Sequence, residues 1–176
     1  MNYKSISDGI KALQGRSLFR LPPEIGDDEK PSTMLIAERI RDDFFGPWPD
    51  TVEGERLASA RSLLDAFTCG GYITVGEDPH NKDPEAVMAR VDPTAEEVFD
   101  FRSFDCRAGV RIFGCFTDRD EFIALTWDFR ENLLTPQDWD DAVAECMAEW
   151  RKLFGDLPPH SGDTIDAYIS YNAQFV

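Results

Sequence analysis

Residues 110–116 and 122–129 read as two consecutive strands with apolar side chains on both faces, and this constrains the fold more than any other feature of the chain. Val110, Ile112 and Phe116 fall on one face of the first run, and Phe113 and Cys115 fall on the other. Strands that are apolar on both sides lie inside a sheet with something packed on each face. The polar segment between them, Thr117-Asp118-Arg119-Asp120-Glu121, is short enough to close a hairpin. Residues 98–103 and 72–75 read as further strands.

A layer to cover this hairpin is readily found. Thr135 caps a helix with Pro136 in its first turn, and Trp139, Val143, Cys146, Met147, Trp150 and Phe154 repeat at helical spacing before Gly155 ends it. Asp138, Asp140 and Asp141 near its start and Arg151 and Lys152 near its end complement the helix dipole.

The N-terminal part reads as helical. Ile10 and Leu13 form a short pattern ended by Gly15. Ser32 caps a helix carrying Met34, Leu35, Ile36, Ala37, Ile40, Phe44 and Phe45, stopped by Gly46-Pro47. Asp50 or Thr51 caps the next, with Leu57, Ala60, Leu63, Leu64 and Phe67 on its stripe and Gly70-Gly71 at its end. These two helices are expected to form an antiparallel pair. Residues 76–93 read as a long loop with a helical turn at 85–89, and Phe175-Val176 as a tail that docks on the body. The expectation is an α+β fold in one compact domain spanning residues 1–176. An N-terminal helical segment (about 1–71) packs on a small antiparallel sheet with a long C-terminal amphipathic helix (about 72–176). The expected core is Leu57, Leu63, Phe67, Ile112, Phe116, Ile123, Leu125, Val143, Met147 and Trp150.

Charge narrows the function. With 34 acidic against 18 basic residues, the net charge is −16. Such a chain repels phosphate backbones, so nucleic acid is a poor partner and a basic protein a good one, unless the excess serves only solvation. No apolar run reaches the roughly eighteen residues of a membrane span, and the N-terminus has no signal-peptide core, which together favour the cytoplasm. Cys69, Cys106, Cys115 and Cys146 form no C-x-x-C pair and only two histidines accompany them, so neither a metal nor another cofactor is expected. No phosphate-cradling loop, nucleophile elbow or zinc-protease motif is present. The carboxylate pairs 27–28, 42–43, 96–97 and 140–141 are adjacent in sequence and therefore do not share a helix face.

The side chains that invite chemistry are few. Asp100-Phe101-Arg102 and Asp128-Phe129-Arg130 repeat one tripeptide, and Arg111 lies on the strand between them. Alternation puts Asp and Arg on one face, so Arg102, Arg111 and Arg130 can converge near Asp100 and Asp128. That is either an anion site or a set of ion pairs that neutralise each other, and the acids beside two of the three favour the pairs. Trp127 with Asp128 could offer a stacking edge, although a strand tryptophan is more often core. His80 and His160 sit in loops, where a histidine can act as acid or base but is more often simply solvated.

Residues 97–153 also carry a resemblance. Val98-Phe99-Asp100-Phe101-Arg102, Val110-Arg111-Ile112-Phe113 and the run from Phe122 to Arg130 resemble the core of RelE- and HigB-type toxins, which carry W-E-L-R, R-V-x-Y and a hydrophobic strand ending in a basic segment. The resemblance implies a small antiparallel sheet with helices on one side. It also implies metal-independent RNA cleavage at the ribosome, with Arg102, Arg111 and Arg130 at the matching basic positions. Two functions follow: a non-catalytic protein-binding or regulatory module whose acidic surface meets a basic partner, in some cases by mimicking nucleic acid, and a toxin-like ribonuclease. The net charge favours the first.

Overall fold

The computed structural model describes residues 3–22, 32–76, 83–104 and 109–175. In chain order the elements are α1 (Ile6–Leu13), β1 (Leu18–Arg20), β2 (Thr33–Ala37), α2 (Arg41–Phe45), α3 (Val52–Thr68), β3 (Ile73–Gly76), β4 (Met88–Arg90), β5 (Phe99–Arg102), β6 (Val110–Asp118), β7 (Glu121–Phe129), α4 (Pro136–Phe154) and β8 (Ala173–Phe175). Short 3-10 turns join several of them.

All eight of these strands share one sheet, in the order β1-β2-β7-β6-β5-β4-β3-β8. The β6–β7 hairpin is central and antiparallel, and β5 and β4 continue antiparallel on one side. Three neighbours pair in parallel: β2 with β7, β3 with β4, and β3 with β8. The expected small antiparallel sheet is therefore wrong. The sheet is large and mixed, and it has helices on both faces. On one face α2, α3 and the turn after Thr164 cover Met34, Ile36, Phe101, Ile112, Phe116 and Phe122. On the other, α1 and α4 cover Leu35, Ala37, Phe113, Cys115, Ile123 and Leu125. Each fully buried Phe of such a core contributes about 1.5–3 kcal/mol of transfer free energy.

The largest correction concerns residues 32–45. The expected helix is a strand, β2, followed by a 3-10 turn and the short α2. Met34 to Ala37 are buried on every side, with alternate residues in the two core layers. A helix in that place would carry apolar side chains all round its first turn, whereas a strand between β1 and β7 buries both sets at once. The expected helix pair is thus absent, and α3 packs on the sheet instead. The segment 1–71 is not a helical unit, since it supplies two strands. The expected turn at 85–89 runs into β4, an extended segment paired with β5. Leu63 is only half-buried, and Leu57, Ala60, Leu64 and Phe67 make the inward face of α3.

Nor is the long helix terminal. After α4 the chain crosses to the α3 face and adds β8 at the sheet edge. Tyr168 fastens this return. It is 2% exposed, its ring packs on Phe99 and Phe116, and its hydroxyl donates to Glu97 Oε2 at 2.6 Å while accepting from the Gly162 N–H at 2.7 Å. Glu97 in turn pairs with Arg90 at 2.5 Å. Burial, and then the carboxylate of Glu97, push the Tyr168 hydroxyl up to about 12. A phenol whose pKa is higher in the fold than in the unfolded chain contributes stability below pH 10, and that stability is lost as pH rises toward 12. Urea denaturation across this range should show a fall in stability that Tyr168→Phe lacks. Equal slopes in the two proteins would show that the tail does not depend on this hydroxyl.

Candidate functional site

Two of the three arginines, Arg102 and Arg111, meet around a carboxylate, and Arg130 does not join them there. Asp100 is fully buried on β5 and accepts from Arg102 Nε at 3.0 and 3.1 Å. Arg111, which faces Arg102 across the β5–β6 register, places its Nε 3.4 Å from Asp100. Its Nη1 donates to the carbonyls of Val110 and Ser103. Burial lowers the Arg111 guanidinium, Asp100 works against this, and the charges of Arg102 and Arg130 lower it further. Arg130 donates to the Leu133 carbonyl and lies 5.7 Å from the Trp139 ring. Asp128 stays apart from these pairs. Its Oδ1 accepts from the Phe129 amide and from Asn132 Nδ2, both at 2.7 Å.

The other sequence candidates scatter. Trp127 turns to the α3 face, where its indole donates to Asp43 Oδ2 at 2.8 Å and its ring meets Phe44 and Phe129 edge-on. His160 belongs to the returning tail, its Nε2 2.8 Å from the Ala167 carbonyl and its ring against Tyr168. His80 lies outside the described residues.

A different group of side chains surrounds a cavity of about 200 Å³ between β7 and the head of α4. The sequence builds it in three steps. First, Thr135 and Asp138 form a reciprocal cap: Asp138 Oδ2 accepts from the Leu134 and Thr135 amides and the Thr135 hydroxyl, and Thr135 Oγ1 accepts from the Asp138 amide. These bonds, the Thr135 amide foremost, hold the Asp138 carboxyl below its usual range. Second, Asp141 and Glu145 follow Asp138 at helical spacing, so the three acids share the side of α4 that faces the cavity. Third, the turn at Arg130–Asn132 closes the end. Arg56 on α3 grips its Glu131 with two bonds of 2.6 and 2.8 Å and stacks 3.7 Å from the Phe129 ring.

The floor depends on a bulge. Between Phe113 and Gly114 the β6–β7 register shifts by one residue, so that Phe113 opposes Thr126 while Gly114 opposes Ala124. Leu125 is the extra residue. Strict alternation would turn Thr126 toward α3, but after the bulge Leu125 and Thr126 both serve the α4 face. Thr126 is 2% exposed, lines the cavity, and its Oγ1 has no hydrogen-bond partner among the described residues.

Asp128, Asp138, Asp141 and Glu145 all line this cavity. Each commits one oxygen internally, Asp141 to Gln137 at 2.8 Å and Glu145 to Arg39 at 2.6 Å. The second oxygen of each carries no protein partner among the described residues. Phe113 and Leu133 add apolar wall. Among the described residues no group of three His, Cys, Asp or Glu is placed to hold a metal ion. The arrangement is suited to an extended cation with several N–H donors.

Sequence reading overlooked this site by weighing only adjacent acids. The spacing of Asp138, Asp141 and Glu145 was the available signal, and nothing local announced the bulge. The unpartnered hydroxyl also has a stability consequence. A buried polar group without a partner costs about 1–3 kcal/mol, so Thr126→Val should raise stability by about 1 kcal/mol in urea denaturation. A loss of stability would mean that Oγ1 is satisfied in solution. In comparisons with known proteins, no protein-family model, curated protein or solved structure matches the chain.

Proposed function

We propose that this protein is a non-catalytic binding module that engages a basic partner protein through the acidic rim at the head of α4. The observation that carries the reading is the set of four cavity carboxylates, each with an oxygen not engaged by any of the described residues. The net charge of −16 supports it by steering cationic partners toward the surface. Where the partner itself binds nucleic acid, such a rim acts as a mimic of the phosphate backbone. No helix among the described residues is long and apolar enough to cross a membrane. The unbridged thiols of Cys115 and Cys146 support work in a reducing, cytoplasmic setting.

Titration calorimetry with a lysine- and arginine-rich peptide tests the reading. Binding should weaken steeply with salt, and it should weaken again in Asp141→Asn/Glu145→Gln while Arg41→Ala leaves it intact. Affinity indifferent to both salt and the double variant would remove the proposal.

The meeting of Arg102 and Arg111 at Asp100, with the charge of Arg130 acting on Arg111, supports a second reading, the RelE- and HigB-like ribonuclease. Expression of the wild type with RNA integrity followed over time separates the two. RNA cleavage that disappears in Arg111→Ala/Arg130→Ala would replace the binding-module reading.

A further inference from the structure

The geometry points to a more specific role for the cavity between β7 and α4: it receives the guanidinium of an arginine side chain from the basic partner, and Thr126 Oγ1 accepts one of its N–H groups at the floor. This takes the binding-module reading as given and adds the identity of the recognised group.

Three observations bear on the choice of an arginine. The first is Thr126. Its side chain is almost wholly buried, lines the cavity and leaves its hydroxyl oxygen without a partner among the described residues. Native interiors rarely tolerate such a group unless a water or ligand satisfies it. The second is the spread of the acids. Asp128 comes from β7, while Asp138, Asp141 and Glu145 follow one side of α4 over two turns. They are not gathered tightly enough for a metal ion. A guanidinium carries its charge over a plane with five N–H donors and can reach several dispersed acceptors together. The third is Arg39, whose guanidinium already bonds Glu145 Oε1 at 2.6 Å. The rim thus accepts this chemistry from the protein's own chain.

The surroundings favour an arginine within a polypeptide. Phe113 and Leu133 form apolar wall against which a flat guanidinium and its methylene stem can lie. Leu134, adjoining the cavity through its amide bond to Asp138, is 76% exposed. An apolar residue next to the partner's arginine would cover it.

The experiment uses the full chain and two short capped peptides. One contains arginine followed by leucine, and the other has neutral citrulline in place of the arginine. The arginine peptide should bind about tenfold tighter or better, as expected for a charge-assisted bond. Thr126→Val should weaken the arginine peptide by roughly fivefold, and Thr126→Ser, which keeps the hydroxyl, should restore it. Thermal melting confirms that both variants fold. Binding that is salt-sensitive and weakened by Asp141→Asn, yet unchanged by Thr126→Val, would overturn the arginine pocket and leave the binding-module reading standing. A lysine peptide that matches the arginine peptide would do the same. Failure of every basic peptide to bind would overturn both. Tight binding of free agmatine with no binding of the arginine peptide would also overturn the pocket, by showing a small-molecule site.

Discussion

Asp100→Ala is expected to destabilise the fold by about 3–5 kcal/mol, because it strands two guanidinium groups in the interior. Asp100 is fully buried, and the side chains of Arg102 and Arg111 that face it are only 6% and 12% exposed. In water each of these groups would be well solvated. Inside the protein their mutual attraction offsets much of that lost hydration, and removal of the acid leaves the loss uncompensated. Urea denaturation gives the number directly. Adding Arg102→Met to Asp100→Ala should recover part of the loss, because the two residues share one network and their effects do not add. A loss below about 1 kcal/mol in the single variant would mean that the arginines find water or another acid.

Gly114→Ala is the second large effect. A Cβ at this position would lie 2.0 Å from the Ile123 carbonyl oxygen and 2.6 Å from the Phe122 ring. The nearest of these is backbone, which cannot step aside as a flexible side chain can. The expected cost is about 3 kcal/mol or more. Gly114 stands at the register shift that turns Thr126 toward the cavity, so the strain falls on the bulge itself. Relief by a slipped register would move Thr126 to the opposite face. Thermal melting together with arginine-peptide titration distinguishes the two results. A variant that melts and binds like the wild type would show that the bulge relaxes freely.

The legible parts of the fold were those with redundant local signals. The β6–β7 hairpin announced itself through two-faced apolar strands and a short polar connection, and α4 through its cap, its stripe and its charge order. β2 was misread because Met34, Leu35, Ile36 and Ala37 are apolar in succession. Such a run satisfies a period of two and a period of 3.6 equally, and Ile40 and Phe44 then completed a helical stripe. What makes it a strand is the parallel pairing of Thr33–Ile36 with Glu121–Ala124, a non-local contact that leaves no mark in its own residues. β4 spans only Met88 to Arg90, too short for periodicity to register. The resemblance to RelE- and HigB-type toxins implied helices on one side of a small sheet, whereas both faces are covered here. Alternation along β5 sets Arg102 beside Asp100 and the β5–β6 register brings Arg111 to the same carboxylate, whereas Arg130 lies in the turn past the end of β7. The acidic cavity was missed because it depends on a parity change at Leu125 that alternation alone does not anticipate.

The strand order also fixes when the protein can be finished during synthesis. β6 and β7 can zip together as soon as both have emerged, since only a short turn separates them. The outer side of β3 is different, because Ile73 must wait for Ala173 to fill its ladder. Throughout translation of everything between, that flank is an open row of amides and carbonyls able to recruit a strand from another nascent chain. Crowded polysomes are therefore where this molecule is most exposed to mispairing, and a chaperone that shields the β3 flank until residues 173–175 appear would raise its yield.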